Sequence, residues 1–379
     1  MFSMTGEQED IYRTVLDFAA EYLAPNAVDW DLDRYFPVDI LRKAADLGMA
    51  GVTVSEESGG SGLSRTDAIL VFEALAGGCP SIAAYLSIHN MVATVIDTEG
   101  DQAQRDRWVG RLCRTDDLAS YCLTEPGAGS DAAALRTRAV RDGDAYVLTG
   151  TKQFISGAGT SQVYLVMART GEPGPRGISA FVVEKDMEGL SFGPEERKMG
   201  WRAQPTRQVV LDGVRVPVRN RLATEGTGFR IAMNALNGGR LSIAACSLGG
   251  ARSAFERTVR YLRDRVAFGR RLMDQSTIQF QLADMATELA AAQALLQRAA
   301  VALDEGAANA VDLCAMAKRY CTDAAFSVAN QALQLHGGYG YLSDYGLEKI
   351  VRDLRVHQIL EGTNEIMRLI IGRNLASQP

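Results

Sequence analysis

The stretch Leu360-Glu361-Gly362-Thr363-Asn364-Glu365 sets a carboxylate between an apolar pair and a glycine. Ile359 and Leu360 would strip water from Glu361 and raise its pKa above the reference value of about 4.3, while Gly362 leaves room for a ligand. A carboxylate with a raised pKa beside room for a ligand is a candidate for chemistry. The same residues also fit an acid near a helix start, favoured by the positive end of the helix dipole. Taken alone, that second arrangement is the commoner one, because caps and structural ion pairs are frequent.

Two glycine clusters are the other candidates. Thr124-Glu125-Pro126-Gly127-Ala128-Gly129-Ser130 is a loop of small residues whose bare amides could approach a phosphate or the polar edge of a ring. The run Gly127 to Ala132 has the outline of a dinucleotide-binding GxGxxA turn, but an Asp142-Gly143 hairpin signal follows within about a dozen residues, where that fold needs a long helix and a parallel strand. The second cluster, His336-Gly337-Gly338-Tyr339-Gly340-Tyr341, lies between two helical patterns. It fits an interhelical turn as well as a ligand-facing backbone. No metal site is expected, since His89, His336 and His357 are far apart and no Cys/His cluster exists. A GxSxG nucleophile motif is also missing.

These residues must be held by a chain of 379 residues that is 47% hydrophobic, enough for two or three domains. From Gly6 to about Thr115 apolar residues recur at helical spacing, as in Ile11, Val15, Phe18, Ala19 and Tyr22; Pro25, Pro37, Pro80 and the Ser58 to Gly62 stretch divide this third into separate helices. Between Leu118 and Arg221 come short runs such as Val163 to Val166 and Ile178 to Val183, punctuated by Asp-Gly pairs, which predict an antiparallel sheet or barrel. Helical spacing returns in four long segments, about 228–265, 276–305, 308–335 and 345–374, describing a helical bundle.

The net charge of −6 with scattered positives excludes a nucleic-acid binder. Apolar runs such as Leu47 to Val54 and Ala232 to Leu248 are broken well short of the roughly 20 residues that span a bilayer. Nothing in Met1 to Glu21 resembles a secretion or transit signal, so the cytoplasm is the expected address. The six cysteines show no CxxC pair and are expected as buried thiols.

Taken together, the chain resembles the acyl-CoA dehydrogenase family along nearly its whole length. Two signatures carry the resemblance: Cys122-Leu123-Thr124-Glu125-Pro126-Gly127-Ala128-Gly129-Ser130-Asp131, and Gln334-Leu335-His336-Gly337-Gly338-Tyr339-Gly340 through Asp344 and Lys349 to Asp353. The resemblance implies a mainly α protein with a central β-barrel: an N-terminal helical domain (1–117), a middle β-barrel (118–225) and a C-terminal four-helix bundle (226–379). It also implies FAD between barrel and bundle. The expected flavin contacts are Tyr121, Cys122, Leu123, Thr124, Gly129, Ser130, Phe154, Ile155 and Ser156. The adenine and pyrophosphate end would meet Arg265, Phe268, Gln334, His336, Gly337 and Gly338, with Thr363, Asn364 and Glu365. Gln275 and Ser276 join this set at a point where the chain departs from the family's usual polar-Gln pair. Expected substrate contacts are Ser130, Asn237, Gly238, Gly239, Arg240, Gly362 and Arg373.

By the same resemblance Glu361 removes the α-proton of an acyl thioester while a hydride leaves the β-carbon for flavin N5. Some relatives carry their base just before the residue matched by Arg240; here that position is Gly239, which has no side chain to serve. The stretches Tyr121 to Ala133, Phe154 to Gly159, Met199 to Arg207, Leu236 to Arg240 and His357 to Arg368 most resemble family members acting on a short, branched acyl-CoA. That resemblance implies isobutyryl-CoA going to methacrylyl-CoA as in valine breakdown, with straight butyryl or other short branched thioesters as alternatives. An electron-transfer flavoprotein as electron acceptor and a homotetramer are implied as partners. The rival expectations are a flavin monooxygenase or oxidase of the same fold and a catalytically silent flavin-binding interaction protein.

Overall fold

The computed structural model describes residues 4–377. Six α-helices come first: α1 Gly6–Phe18, α2 Ala27–Asp33, α3 Val38–Asp46, α4 Arg65–Gly78, α5 Pro80–Glu99 and α6 Gln102–Cys113. Local chemistry fixes their starts. Thr5 with Gln8, Ser64 with Asp67 and Asp101 with Gln104 form reciprocal capping boxes, and Pro80 opens α5 where its missing N–H costs nothing. The α4 helix is buried on nearly every face from Ala68 to Ala76, so it serves as the central post of the helical core.

Eight strands follow: β1 Ala119–Cys122, β2 Arg138–Asp142, β3 Ala145–Ser156, β4 Val163–Arg169, β5 Ile178–Glu184, β6 Leu190–Phe192, β7 Thr206–Pro217 and β8 Arg221–Leu222. They join in the order β6-β7-β3-β2-β4-β5-β8, with β1 also on β4. The sheet is mixed rather than purely antiparallel, because β1 and β2 both run parallel to β4. It curls round its own apolar cluster: Tyr146 of β3 and Phe181 of β5 meet at 5.0 Å although β2 and β4 lie between their strands in the order. Strand β4 explains the uninterrupted apolar run seen in the sequence. Tyr164, Val166 and Ala168 face the barrel interior, while Val163, Leu165 and Met167 face the helices, so both faces are covered. The Asp142-Gly143 hairpin joins β2 to β3 antiparallel, which removes any dinucleotide-binding βαβ unit from the Gly127 loop.

The C-terminal part contains α7 Gly228–Asp264, a hairpin of β9 Val266–Ala267 and β10 Arg270–Arg271, then α8 Ser276–Asp304, α9 Ala310–Leu335, α10 Leu347–His357 and α11 Asn364–Ser377. The fourth long segment, expected as one helix over 345–374, is two helices. Glu361 at φ 53° and Gly362 at φ 91° are left-handed, and a right-handed helix cannot run through two such residues. The apolar spacing continues across the break, which is why periodicity alone conceals it. All six cysteines are free and buried. Among the described residues no helix is long and apolar enough to cross a membrane, and no cluster of potential metal ligands occurs.

Candidate active site

The break between α10 and α11 delivers Glu361 to the middle of α7. A Cβ placed on Gly239 would lie 2.3 Å from Glu361 Oε2 and 2.9 Å from its Cδ, so only glycine lets the carboxyl lie flat on the helix. Both carboxylate oxygens are buried and neither has a hydrogen-bond partner among the described residues. Burial pushes the Glu361 carboxyl up to about 7, while the positive charges of Lys318 and Arg240 hold it from rising further. The Glu361 N–H donates to no acceptor among the described residues, leaving an amide free beside the carboxyl.

Two buried cations fasten the turn. Arg240 donates through Nη1 to Asn237 Oδ1 at 2.9 Å and reaches the Glu361 carbonyl from Nε at 3.4 Å. Lys318 of α9 donates to the Gly362 carbonyl at 2.7 Å and to Asn364 Oδ1 at 3.0 Å. Gly362 is held at φ 91°, which favours glycine, and a Cβ there would also meet the flexible end of Met367, Cε, at 2.7 Å. Tyr121, on β1, brings the barrel to this point: its hydroxyl is buried without a partner, and burial followed by the Glu361 charge raises its pKa.

The expected flavin-facing residues lie on β1, on the loop that follows it and at the end of β3. Glu125 anchors their loop, accepting from Lys152 Nζ at 2.7 Å, Arg136 N at 2.6 Å and Thr137 N at 2.9 Å, so the backbone around Gly127 and Gly129 is held against open space. The β3 to β7 register slips between Lys152 and Ile155. Beside that bulge Phe154 stands at φ 60° and 64% exposure. Cys122 and Ile155 are buried in the barrel. Thr124 is half-buried, with its carbonyl taken by Gln153 N, and Ser130 is exposed.

A second group assembles elsewhere. Arg265, Gln334, His336, Gly337 and Gly338 line one cleft of about 640 Å³ beside Tyr261 and Tyr339. Gly337 and Gly338 have nothing within 4 Å of an added Cβ, and the buried His336 ring stacks on Tyr261 at 4.3 Å. Phe268 stands outside this cleft at the hairpin tip, 94% exposed. Gln275 keeps a buried, unpartnered Nε2, whereas Ser276 is exposed. Asn364 is committed internally, giving its amide to Asp323 Oδ1 at 2.7 Å and Thr322 Oγ1 at 3.0 Å. Thr363 Oγ1 caps the start of α11 at Ile366 N, and Glu365 is exposed. Arg373 is exposed about 14 Å further along α11, away from the carboxylate.

Exposed glycine backbone, unpartnered buried polar atoms and an outward aromatic ring together fit a long cofactor with a flat ring system at one end and phosphates along its length. Two residues of the site went unnoticed in the sequence. Lys318 is one; its signal was a lysine at a buried helical position, in Ala315-Met316-Ala317-Lys318. Arg65 is the other: its guanidinium packs on Gly238, where an added Cβ would sit 2.9 Å from Cζ, and nothing in the local sequence announces it.

The chain belongs to the acyl-CoA dehydrogenase family, a family of FAD-dependent oxidoreductases. It matches the descriptions "Acyl-CoA dehydrogenase, N-terminal domain" over residues 5–116, "middle domain" over 120–214 and "C-terminal domain" over 226–376. It is 52% identical over 375 residues to a Bos taurus protein named isobutyryl-CoA dehydrogenase, mitochondrial, covering 99% of this chain and 90% of that one. A Dictyostelium discoideum protein of the same name is 51% identical over 374 residues, covering 98% and 90%. Among solved structures, one described as the electron transferring flavoprotein of Acidaminococcus fermentans contains a chain that superposes with a TM-score of 0.97 at 37% identity, covering 100% of both chains.

Proposed function

We propose that the protein dehydrogenates a short, branched acyl-CoA, isobutyryl-CoA to methacrylyl-CoA, with Glu361 as the base that takes the α-proton. The observation that carries this is the Glu361 carboxylate, buried and unpartnered against Gly239. The α-proton of a thioester is weakly acidic, so its removal needs a positioned base and a stabilised carbonyl oxygen. A carboxyl near 7 is about half ionised at neutral pH, enough to accept a proton, and with no donor among the described residues its oxygens are available to the substrate. The free Glu361 amide stands beside it as a donor to the thioester oxygen. Bound FAD supplies the hydride acceptor, held by Tyr121 to Thr124, Gly129, Ser130 and Phe154 to Ser156. Asn237 to Arg240 and Gly362 border the thioester, and Arg373 and Ser130 lie toward the CoA.

The branched substrate rests on the 52% and 51% identities to proteins named for isobutyryl-CoA. A homotetramer is what the family resemblance implies; the second cleft, about 24 Å along α9 from Lys318, is where a cofactor shared with another copy would be met. An electron-transfer flavoprotein as acceptor is supported by the description of the solved structure above.

Glu361→Gln should keep its yellow flavin and lose at least about 100-fold in acyl-CoA-dependent flavin reduction under anaerobic conditions, as loss of a general base commonly costs. Near-normal reduction would refute the assignment. Isobutyryl-, 2-methylbutyryl-, butyryl- and isovaleryl-CoA tested side by side decide the acyl group; butyryl-CoA as clearly the fastest would remove the branched substrate.

A further inference from the structure

Lys318 has its side chain wholly buried in the bundle. An ammonium in such a place is tolerated only when its donors are used. Here they go to the Gly362 carbonyl at 2.7 Å and Asn364 Oδ1 at 3.0 Å. Asn364 is tied in turn to Thr322 and Asp323, so the clamp is rooted in α9 and closes on the first turn of α11. The carbonyl it grips belongs to the residue after Glu361, and Glu361 is a non-glycine residue at φ 53°, a conformation that persists only under outside restraint.

We propose that Lys318 is a positioning residue for the dehydrogenation proposed above: through the Gly362 carbonyl it holds the turn that aims Glu361, and its charge favours the ionised form of that base. The inference rests on Glu361 being the base. Glu361 is faced by Arg240 and Cys246 of α7, Tyr121 of β1 and Lys318 of α9; Lys318 itself faces Glu361, Arg240, Asp323, Glu365 and His357. Arg240 also carries a positive charge here, but its Nη1 is engaged by Asn237 and its Nε reaches the Glu361 carbonyl only at 3.4 Å, whereas the lysine grips the turn closely. Burial lowers the Lys318 ammonium to about 8 while Glu361 pulls it up, the reciprocal of what Lys318 does to the carboxyl.

The test follows the Glu361 carboxyl by infrared titration of the flavin-loaded protein, its band assigned by its loss in Glu361→Gln, alongside the pH profile of anaerobic flavin reduction by isobutyryl-CoA. Lys318→Met and Lys318→Gln should move the Glu361 midpoint upward by about half a unit or more, a roughly threefold fall in the ionised fraction below it. They should also lower the limiting rate about tenfold at high pH, where the base is fully ionised. Lys318→Arg should restore the midpoint. An unchanged midpoint together with an unchanged limiting rate in both neutral variants would overturn the proposal. If neither folds, the Lys318 ammonium followed by NMR must titrate lower in Glu361→Gln than in the native protein; equal midpoints would overturn it equally. Native flavin that no acyl-CoA reduces would sink the proposed function, and with it this role, whereas the two titrations would then report only whether Lys318 and Glu361 are coupled.

Discussion

A buried carboxylate without donors is an expensive group to keep, and among the described residues Glu361 has none on either oxygen. Its folded pKa lies above the unfolded value, so the folded state binds its proton more tightly than the unfolded chain does. That contribution to stability is fully present below about pH 4.5 and is lost as pH rises through about 7. Glu361→Gln should therefore be more stable than the native protein at pH 8, on the order of 3 kcal/mol, with the gain shrinking toward pH 4.5; urea melts at the two pH values check it. Its neighbour Gly239 is the complementary case. Gly239→Ala puts a methyl 2.3 Å from Oε2 and must displace the base. Since a misplacement of about 1 Å costs about 100-fold, flavin reduction should fall by that order with flavin still bound, as stopped-flow measurement would show. The sequence singles out Glu361 between Leu360 and Gly362, but on those residues alone a cap or ion pair is the commoner arrangement, and only the resemblance points to a base. The reason Gly239 must be glycine is not legible there, since the atom that would be struck is 122 positions away in the chain.

At the scale of elements, the bulge in β3 and the break between α10 and α11 do the positioning, and each interrupts a pattern that looked regular. Strands, hairpin and long helices followed from spacing and Asp-Gly turns. The break did not, because Ile359, Leu360, Ile366 and Met367 carry apolar spacing straight across it and only the three-dimensional course of the chain reveals two left-handed residues in succession. Gly362→Ala should cost on the order of 1 kcal/mol or more, because a side chain is strained at φ 91°, while Met367 Cε can shift to admit the methyl. Its signature should be a lower denaturation midpoint together with slower flavin reduction. A midpoint matching the native protein would mean that the turn is less constrained than its geometry implies.

At the scale of the whole molecule, a buried ionic seam joins the barrel to the helices. Lys349 Nζ meets Asp353 Oδ2 at 2.7 Å, Trp201 N of the barrel donates to Asp353 Oδ1 at 2.6 Å, and Arg352 reaches Asp31 of α2 at 2.6 Å. Asp353→Asn would leave a buried lysine without its counter-charge, a loss of about 3 to 5 kcal/mol by denaturant titration, and a cost below 1 kcal/mol would contradict the burial of the pair. The sequence showed Lys349 and Asp353 at helical spacing but not that they point inward to tie two layers together.

The six buried thiols are spread through all three layers: Cys79 and Cys113 among the first helices, Cys122 in the barrel, and Cys246, Cys314 and Cys321 in the bundle. A sulfhydryl with no path to solvent reacts with an alkylating agent only when its surroundings open. Each layer thus carries its own chemical clock, and the order in which the six are marked in native buffer would give the order in which the molecule comes apart.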